Sequence, residues 1–86
     1  MKKSVAVVED DHGLRRQIVE LLGTAPDIQC LGAFNSGEEA LKHIPGLKPD
    51  VVLMDIQLPG ISGIKCVAEL KRTMPAVRII MVTWRR

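Results

Sequence analysis

The segment PDVVLMDIQLPG, residues 49–60, decides the fold of this chain. Residues 51–54 are all apolar, and a short continuous apolar run is typical of a strand buried on both faces of a parallel sheet. The run ends at Asp55, and the Pro59-Gly60 pair that follows indicates a turn. The segment therefore predicts a buried strand that delivers a carboxylate to a loop at its carboxyl end.

Three other segments have the composition of strands. Residues 5–8 form a valine-rich apolar run that ends at three consecutive acids, residues 9–11. Residues 77–82 form a predominantly apolar run that reaches Thr83. Residues 28–33 fit a strand that begins after the turn at Pro26-Asp27. We therefore expect four strands in all.

Amphipathic helical patterns separate these strands. The first ends at Gly23, the second is stopped by Pro45-Gly46, and the third is closed by Pro75. Ser36 and Glu39 match a capping box at the start of the second helix. The apolar positions of the three patterns are Leu14, Ile18, Leu21 and Leu22; Ala40, Leu41 and Ile44; and Ile64, Val67, Ala68 and Leu70. The order βαβαβαβ with short connections predicts an α/β fold with a parallel sheet and right-handed crossovers.

Composition narrows the class of protein. Eighty-six residues, 47% of them hydrophobic and 26% charged, describe one small globular domain. The net charge of +2 is too small to indicate nucleic-acid binding by the electric field alone. Cys30 and Cys66 have no metal-ligand spacing, so we expect two reduced thiols. With no signal peptide and no membrane-length apolar run, the sequence predicts a cytoplasmic chain.

Polar side chains follow three of the predicted strands where each strand ends. Glu9 and Asp10 follow the first, Asp55 the third and Thr83 the fourth. Because the carboxyl ends of parallel strands share one edge of the sheet, we expect these residues to lie together. Clustered carboxylates repel one another, and Mg²⁺ relieves that repulsion while also binding phosphate oxygens. The pattern predicts a Mg²⁺-dependent phosphoryl site.

Two of the acids also have simpler explanations. Asp11 directly precedes a helix and fits an N-cap better than a metal ligand. Asp55 precedes a turn that contains Pro-Gly, where an aspartate often serves the turn alone. The joint placement of the acids at one sheet edge is what favours a functional site.

The chain resembles the receiver domain of two-component response regulators. The resemblance rests on the first strand end (VVED, residues 7–10), the second-helix start (SGEEAL, residues 36–41), the segment around Asp55 with its Pro-Gly loop, and the fourth strand (IIMVT, residues 79–83). It is closest to the branch whose members carry a helix-turn-helix output domain. It implies a flavodoxin-like fold, similar to chemotaxis regulators, with strand order 2-1-3-4-5.

The resemblance also implies roles. Asp55 would be the phosphoacceptor that takes a phosphoryl group from a sensor histidine kinase. Mg²⁺ would be held by Glu9, Asp10, Asp55 and the backbone carbonyl of Gln57. Thr83 would bind a phosphoryl oxygen and act as the switch residue. Such a module is not an enzyme beyond catalysing its own phosphorylation and dephosphorylation.

The sequence departs from a complete receiver. We expect residues 1–86 to be a partial receiver domain that lacks the last helix, strand and helix and the lysine they carry, with no output domain. Trp84 stands where the family usually has a small residue. The ending is expected of a truncated gene product or a deliberately shortened chain. We expect a marginally stable monomer that self-associates through the exposed edge of the fourth strand.

Two alternatives differ in class. The chain could be a receiver remnant that is not phosphorylated and acts only through protein contacts. It could also be an aspartyl phosphatase, but that chemistry needs an acid two residues after the nucleophile, where Gln57 stands. A DNA-binding element finds no room after Thr83, so the chain itself is not expected to bind nucleic acid.

Overall fold

A computed structural model describes residues 2–82 and shows strands and helices in strict alternation. The elements are β1 (Lys3–Val8), α1 (His12–Gly23), β2 (Ile28–Phe34), α2 (Gly37–Leu47), β3 (Val51–Asp55), α3 (Gly63–Thr73) and β4 (Arg78–Val82). The predicted order βαβαβαβ is confirmed. Among residues 2–82, no helix is both long enough and apolar enough to span a membrane.

The four strands form one parallel sheet in the order β2-β1-β3-β4. This is the order that the family resemblance implied for the first four strands. Val8 pairs with Met54, and Asp55 pairs with Val82, so the carboxyl ends of β1, β3 and β4 lie side by side. The central position of β1 and β3 explains why their sequences are continuous apolar runs.

The hydrophobic core lies between one face of the sheet and the helices α2 and α3. Alternate residues of β1 and β3 point to this face because side chains alternate along a strand. The fully buried members of the cluster are Ala6, Val8, Ala40, Ile44, Val52, Met54, Cys66 and Leu70. Cys66 is therefore a core residue with a free thiol, and burial raises its pKa to about 11.

The opposite face of the sheet is covered unevenly. Val7, Leu53 and Ile80 form a row across β1, β3 and β4, because Val7 pairs with Leu53 and Leu53 with Ile80. Val7 is 1% exposed, Leu53 is half-buried and Ile80 is 53% exposed. Helix α1 packs against β1 and β2, so its cover does not extend to β4.

Two helix faces differ from the predicted ones. In α1 the half-buried residues are Leu14, Arg15, Ile18, Val19 and Leu22, which leaves Leu21 at the edge of this stripe and 71% exposed. In α3 the buried stripe is Gly63, Cys66 and Leu70, and Ile64 and Ala68 point away from it into solvent. The predictions for Leu21, Ile64 and Ala68 were wrong because hydrophobicity alone did not locate the centre of each stripe.

The second helix also ends later than predicted. Pro45 lies inside α2, which continues to Leu47. The helix ends where Lys48 adopts a left-handed conformation with φ 51° and donates its N–H to the Ile44 carbonyl at 3.0 Å. Pro49 then prevents continuation. Pro45 is tolerated because it removes one hydrogen bond in the last turn and not in the helix interior.

The predicted capping box at the start of α2 is half formed. Ser36 Oγ accepts the N–H of Glu39 at 3.1 Å, as expected. The Glu39 carboxylate instead lies 3.1 Å from His43 Nε2, one turn later on the same helix. The His43 ring in turn stacks on Phe34, with 5.6 Å between ring centroids. The Glu39 side chain therefore pairs with a residue of its own helix, and the reciprocal hydrogen bond to the Ser36 backbone is not formed.

We expect Ile44→Ala to lower the free energy of unfolding by about 2–5 kcal/mol, because its side chain is fully buried between α2 and the sheet. Leu21→Ala removes a largely exposed side chain and should change this free energy by less than about 0.5 kcal/mol. Urea unfolding followed by circular dichroism measures both. Equal losses for the two variants would contradict the placement of the core.

Candidate functional site

Three carboxylates meet at the carboxyl ends of β1 and β3. Glu9 and Asp10 directly follow β1, and Asp55 is the last residue of β3. One carboxylate oxygen from each of Glu9, Asp10 and Asp55 lies within 4.8 Å of the other two. These three residues, called the acid cluster below, are the acids that the sequence placed at one sheet edge.

The acid cluster is withdrawn from water. Glu9 and Asp55 are each 1% exposed, and Asp10 is half-buried. Burial of Glu9 raises its pKa from 4.5 to about 7 because the charged form loses hydration. The N–H of Asp11 partly opposes this rise, while hydrogen bonds with the Asp10 and Asp55 side chains add to it. Glu9 therefore binds its proton more tightly than a solvent-exposed glutamate does.

Backbone groups hold the cluster in place. The N–H of Asp11 donates to Glu9 Oε2 at 2.9 Å, and the N–H of Gln57 donates to Asp55 Oδ1 at 2.9 Å. Arg15 Nη1 donates to the Glu9 carbonyl at 2.9 Å, which ties the first turn of α1 to the end of β1. Arg15 was not singled out from the sequence, because its target is a backbone atom six residues away that no side-chain pattern reveals.

The glycine at position 63 fixes the start of α3 against the site. A Cβ atom at Gly63 would collide with the carbonyl oxygen of Asp55 and would lie 3.0 Å from the Cα atom of Ile56. The backbone of α3 can thus approach the end of β3 only because residue 63 has no side chain. In the sequence, Gly63 was noted only as part of the loop that leads into α3. No sequence pattern indicates that the backbone of residue 63 contacts the backbone at the end of β3.

Asp11 is an N-cap and not a member of the acid cluster. Its Oδ1 accepts the N–H of Leu14 at 2.9 Å, so the side chain satisfies an otherwise unpaired donor in the first turn of α1. The simpler of the two explanations considered for Asp11 is therefore confirmed.

Thr83 and Trp84 lie outside the described residues. Val82, the last residue of β4, pairs with Asp55, and the N–H of Ile56 donates to the Val82 carbonyl at 3.2 Å. The described end of β4 is therefore adjacent to the acid cluster.

The donor set fits a hard divalent cation. Carboxylate oxygens are the ligands that Mg²⁺ prefers in proteins, and Mg²⁺ usually takes one or two carboxylates and keeps several waters. Asp10 is half-buried, so the cluster is not fully closed to solvent. The hydrogen bond from Gln57 to Asp55 also places the Gln57 peptide beside the cluster. A cavity of about 570 Å³ lies at the opposite edge of the sheet and does not include the acid cluster. Its lining residues include Lys3, Asp50 and Arg78.

Comparison with known families identifies the class of protein. Residues 5–86 match the response regulator receiver domain family. The match covers nearly the whole chain and includes all three residues of the acid cluster. The chain belongs to the receiver domains of response regulators, and its fold is the flavodoxin-like fold expected from the resemblance.

Relatives with the same domain include response regulators of several bacteria. The chain is 44% identical over 78 residues to the response regulator GacA of Pseudomonas viridiflava, covering 90% of this chain and 36% of that protein. It is 35% identical over 79 residues to the DNA-binding transcriptional activator DevR/DosR of Mycobacterium tuberculosis, covering 92% and 36% of the two chains. The chain thus spans about a third of the length of these curated relatives.

Solved structures show the same fold. The response regulator domain of Thermotoga maritima CheB matches with a TM-score of 0.91 and 32% identity, covering 96% of this chain and 61% of that chain. A LuxR-family DNA-binding response regulator from Staphylococcus aureus matches with a TM-score of 0.86 and 32% identity, covering 98% and 71%.

The raised pKa of Glu9 predicts that metal-free protein loses stability as the pH rises. Between pH 4.5 and about 7 the folded state binds more protons at Glu9 than the unfolded state does, so the free energy of unfolding falls through this window. The slope from this group approaches about 1.4 kcal/mol per pH unit. Urea unfolding in EDTA at several pH values measures it.

Glu9→Gln should remove this part of the slope, whereas Glu20→Gln, which alters an exposed acid paired with Arg16, should retain it. A wild-type slope in Glu9→Gln would contradict the assignment of the raised pKa to Glu9.

Proposed function

We propose that this chain is a phosphoacceptor, with Asp55 taking a phosphoryl group from the phosphohistidine of a sensor histidine kinase. Mg²⁺ would be held by Glu9, Asp10, Asp55 and the backbone carbonyl of Gln57. The observation that carries the proposal is the acid cluster itself, three carboxylates gathered within 4.8 Å in a receiver domain. A structural role alone would not require two almost fully buried acids at one sheet edge.

The chemistry assigned to Asp55 is nucleophilic. An oxygen of its carboxylate attacks the phosphorus, and the bond between phosphorus and the imidazole nitrogen of the donor breaks. The electron pair stays on that nitrogen, which takes up a proton, and the product is an acyl phosphate on Asp55. The hydrogen bond from the Gln57 N–H to Asp55 Oδ1 restrains the rotation of the carboxylate before the attack.

The other two acids have a binding role in this proposal. When bound, Mg²⁺ neutralises charge on the transferring phosphoryl oxygens and orients the attack. Glu9 must give up its proton before its carboxylate can take part in holding a cation. The N–H of Asp11 donates to Glu9 Oε2 and so restrains the orientation of that carboxylate.

Thr83 completes the proposed site. It directly follows Val82, whose partner in the sheet is Asp55, and we assign to its hydroxyl a hydrogen bond to a phosphoryl oxygen. This contact would report phosphorylation as a switch.

The competing hypothesis is a receiver remnant that acts only through protein contacts. The joint burial of Glu9 and Asp55 favours the phosphoacceptor, because a remnant would gain nothing from the cost of burying like charges together. The proposal places the chain in the cytoplasm, where its two free cysteines fit a reducing environment.

Intact-mass spectrometry tests the phosphoacceptor directly. After incubation with acetyl phosphate and Mg²⁺, we expect one phosphoryl adduct on the wild-type chain and on Asp27→Asn, whose aspartate lies in the exposed turn before β2. Asp55→Asn should carry no adduct, and Asp10→Asn should form it much more slowly, by about 10–100-fold. An adduct that persists in Asp55→Asn, or its absence from the wild type, would contradict the proposal.

We also propose that the chain self-associates through β4. Among residues 2–82, β4 has one neighbouring strand, β3, and it carries the largely exposed Ile80. A strand with one paired side presents backbone donors and acceptors to another chain, and an apolar residue beside them strengthens the contact.

Sedimentation velocity over a range of concentrations should show a concentration-dependent dimer for the wild type. Ile80→Lys should shift the equilibrium toward the monomer, whereas Ile64→Lys should not, because Ile64, although even more exposed, lies on α3. A compact monomer at every concentration would rule the self-association out.

A further inference from the structure

The loop between β3 and α3 is held by a carboxylate from another element. Glu38, in the first turn of α2, accepts the N–H of Ile61 on its Oε2 at 3.0 Å. The two residues are 23 positions apart in the sequence, so the bond joins separate parts of the fold. A hydrogen bond to an ionised group is among the stronger ones available near a protein surface.

The conformation of the loop is adapted to this carboxylate. Gly60 has a φ of +71°, a left-handed conformation that L side chains rarely adopt. A Cβ atom at this position would also lie 2.6 Å from Glu38 Oε2. The Glu38 carboxylate therefore rests directly on the backbone of the turn, and the glycine meets both the backbone and the space requirement.

Further contacts join the start of α2 to the loop and to α3. A Cβ atom at Gly37 would collide with the Ile61 side chain and lie 3.2 Å from the Ile61 carbonyl. The Cys66 thiol donates to the Gly37 carbonyl at 3.7 Å. The first turn of α2, the loop and α3 are thus one packed unit.

The same loop begins at the acid cluster. Near its start the Gln57 N–H donates to Asp55 Oδ1, and near its end the Ile61 N–H donates to Glu38 Oε2. Leu58, between these two points, is buried in the core. Only Pro59 and Gly60 lie between Leu58 and Ile61, so the loop is short. A shift in the position of Ile61 is therefore expected to shift Gln57 as well.

We propose that Glu38 is a positioning residue for the metal site, holding the loop so that the Gln57 carbonyl stays where it can bind the cation. The inference rests on the proposed function, because Glu38 can affect metal binding in this way only if the loop supplies a metal ligand. Glu38 acts through the Ile61 N–H and touches neither the acid cluster nor the phosphoryl group.

Glu39 provides a matched control on the same turn of helix. It carries the same charge and is also exposed, but its carboxylate pairs with His43 on α2. The change Glu39→Ala keeps the backbone N–H that Ser36 Oγ accepts, so the cap of α2 survives. Any effect of lost negative charge or lost helix stability should therefore be common to Glu38→Ala and Glu39→Ala.

The experiment combines two measurements on the full chain. Amide hydrogen exchange of Ile61, followed by NMR, reports the contact itself without any metal. Titration calorimetry with Mg²⁺ reports the dissociation constant of the site. Glu38→Ala should speed Ile61 exchange by about 10-fold or more, the effect of losing a hydrogen bond to a charged acceptor. It should also weaken Mg²⁺ binding by about 10-fold, with near-normal phosphorylation by acetyl phosphate at saturating Mg²⁺.

The controls separate positioning from general stability. Glu39→Ala should change neither measurement, and Glu38→Gln, which keeps an acceptor oxygen without the charge, should lie between the wild type and Glu38→Ala in both. Unchanged Ile61 exchange in Glu38→Ala would overturn the contact. Faster exchange with unaltered Mg²⁺ affinity would overturn the positioning role. If the wild type itself binds no Mg²⁺, the proposed function fails, and Ile61 exchange still decides separately whether Glu38 holds the loop.

Discussion

Two adjacent parallel strands bring their terminal carboxylates together, and the repulsion between these carboxylates is the constraint around which the site is organised. The pairing of Val8 with Met54 sets Glu9 next to Asp55, and both are almost fully buried. Burial raises the pKa of Glu9 to about 7, which favours its protonated form, and backbone N–H groups point at the Glu9 and Asp55 carboxylates. A bound cation would replace the proton. The acid cluster therefore lowers the stability of the fold, and the packing of the surrounding core compensates for this cost.

That core is asymmetric. Helices α2 and α3 cover one face of the sheet and bury most of the large apolar side chains, among them Ile44, Met54 and Leu70. Helix α1 covers only the part of the other face formed by β1 and β2. The two helices that bury this core, α2 and α3, also contact the loop after Asp55. Gly63 brings α3 against the Asp55 carbonyl, so the position of the nucleophile depends on the same packing that stabilises the fold.

The strands and the acid cluster could be predicted from the sequence because both follow from patterns that need no tertiary information. A continuous apolar run such as residues 51–54 has few alternatives to a buried strand, and parallel strands share one edge by geometry. The exposure of Ile64, the continuation of α2 past Pro45 and the contact of Glu38 with Ile61 could not be predicted in this way. Each depends on which neighbour a side chain or a helix end meets, and that neighbour is distant in the chain. Thr83 stays a prediction because it lies outside the described residues.

The row Val7, Leu53 and Ile80 has a consequence for local unfolding. Burial decreases along this row from 1% exposed at Val7 to 53% at Ile80, and among residues 2–82 β1 has two strand neighbours while β4 has one. Segments with few buried apolar contacts open at a lower free-energy cost than the centre of a domain. We therefore expect β1 to open at a higher free-energy cost than β4. The acid cluster spans both strands' surroundings, because Glu9 and Asp10 follow the well-buried β1, while Asp55 pairs with Val82 of the more exposed β4.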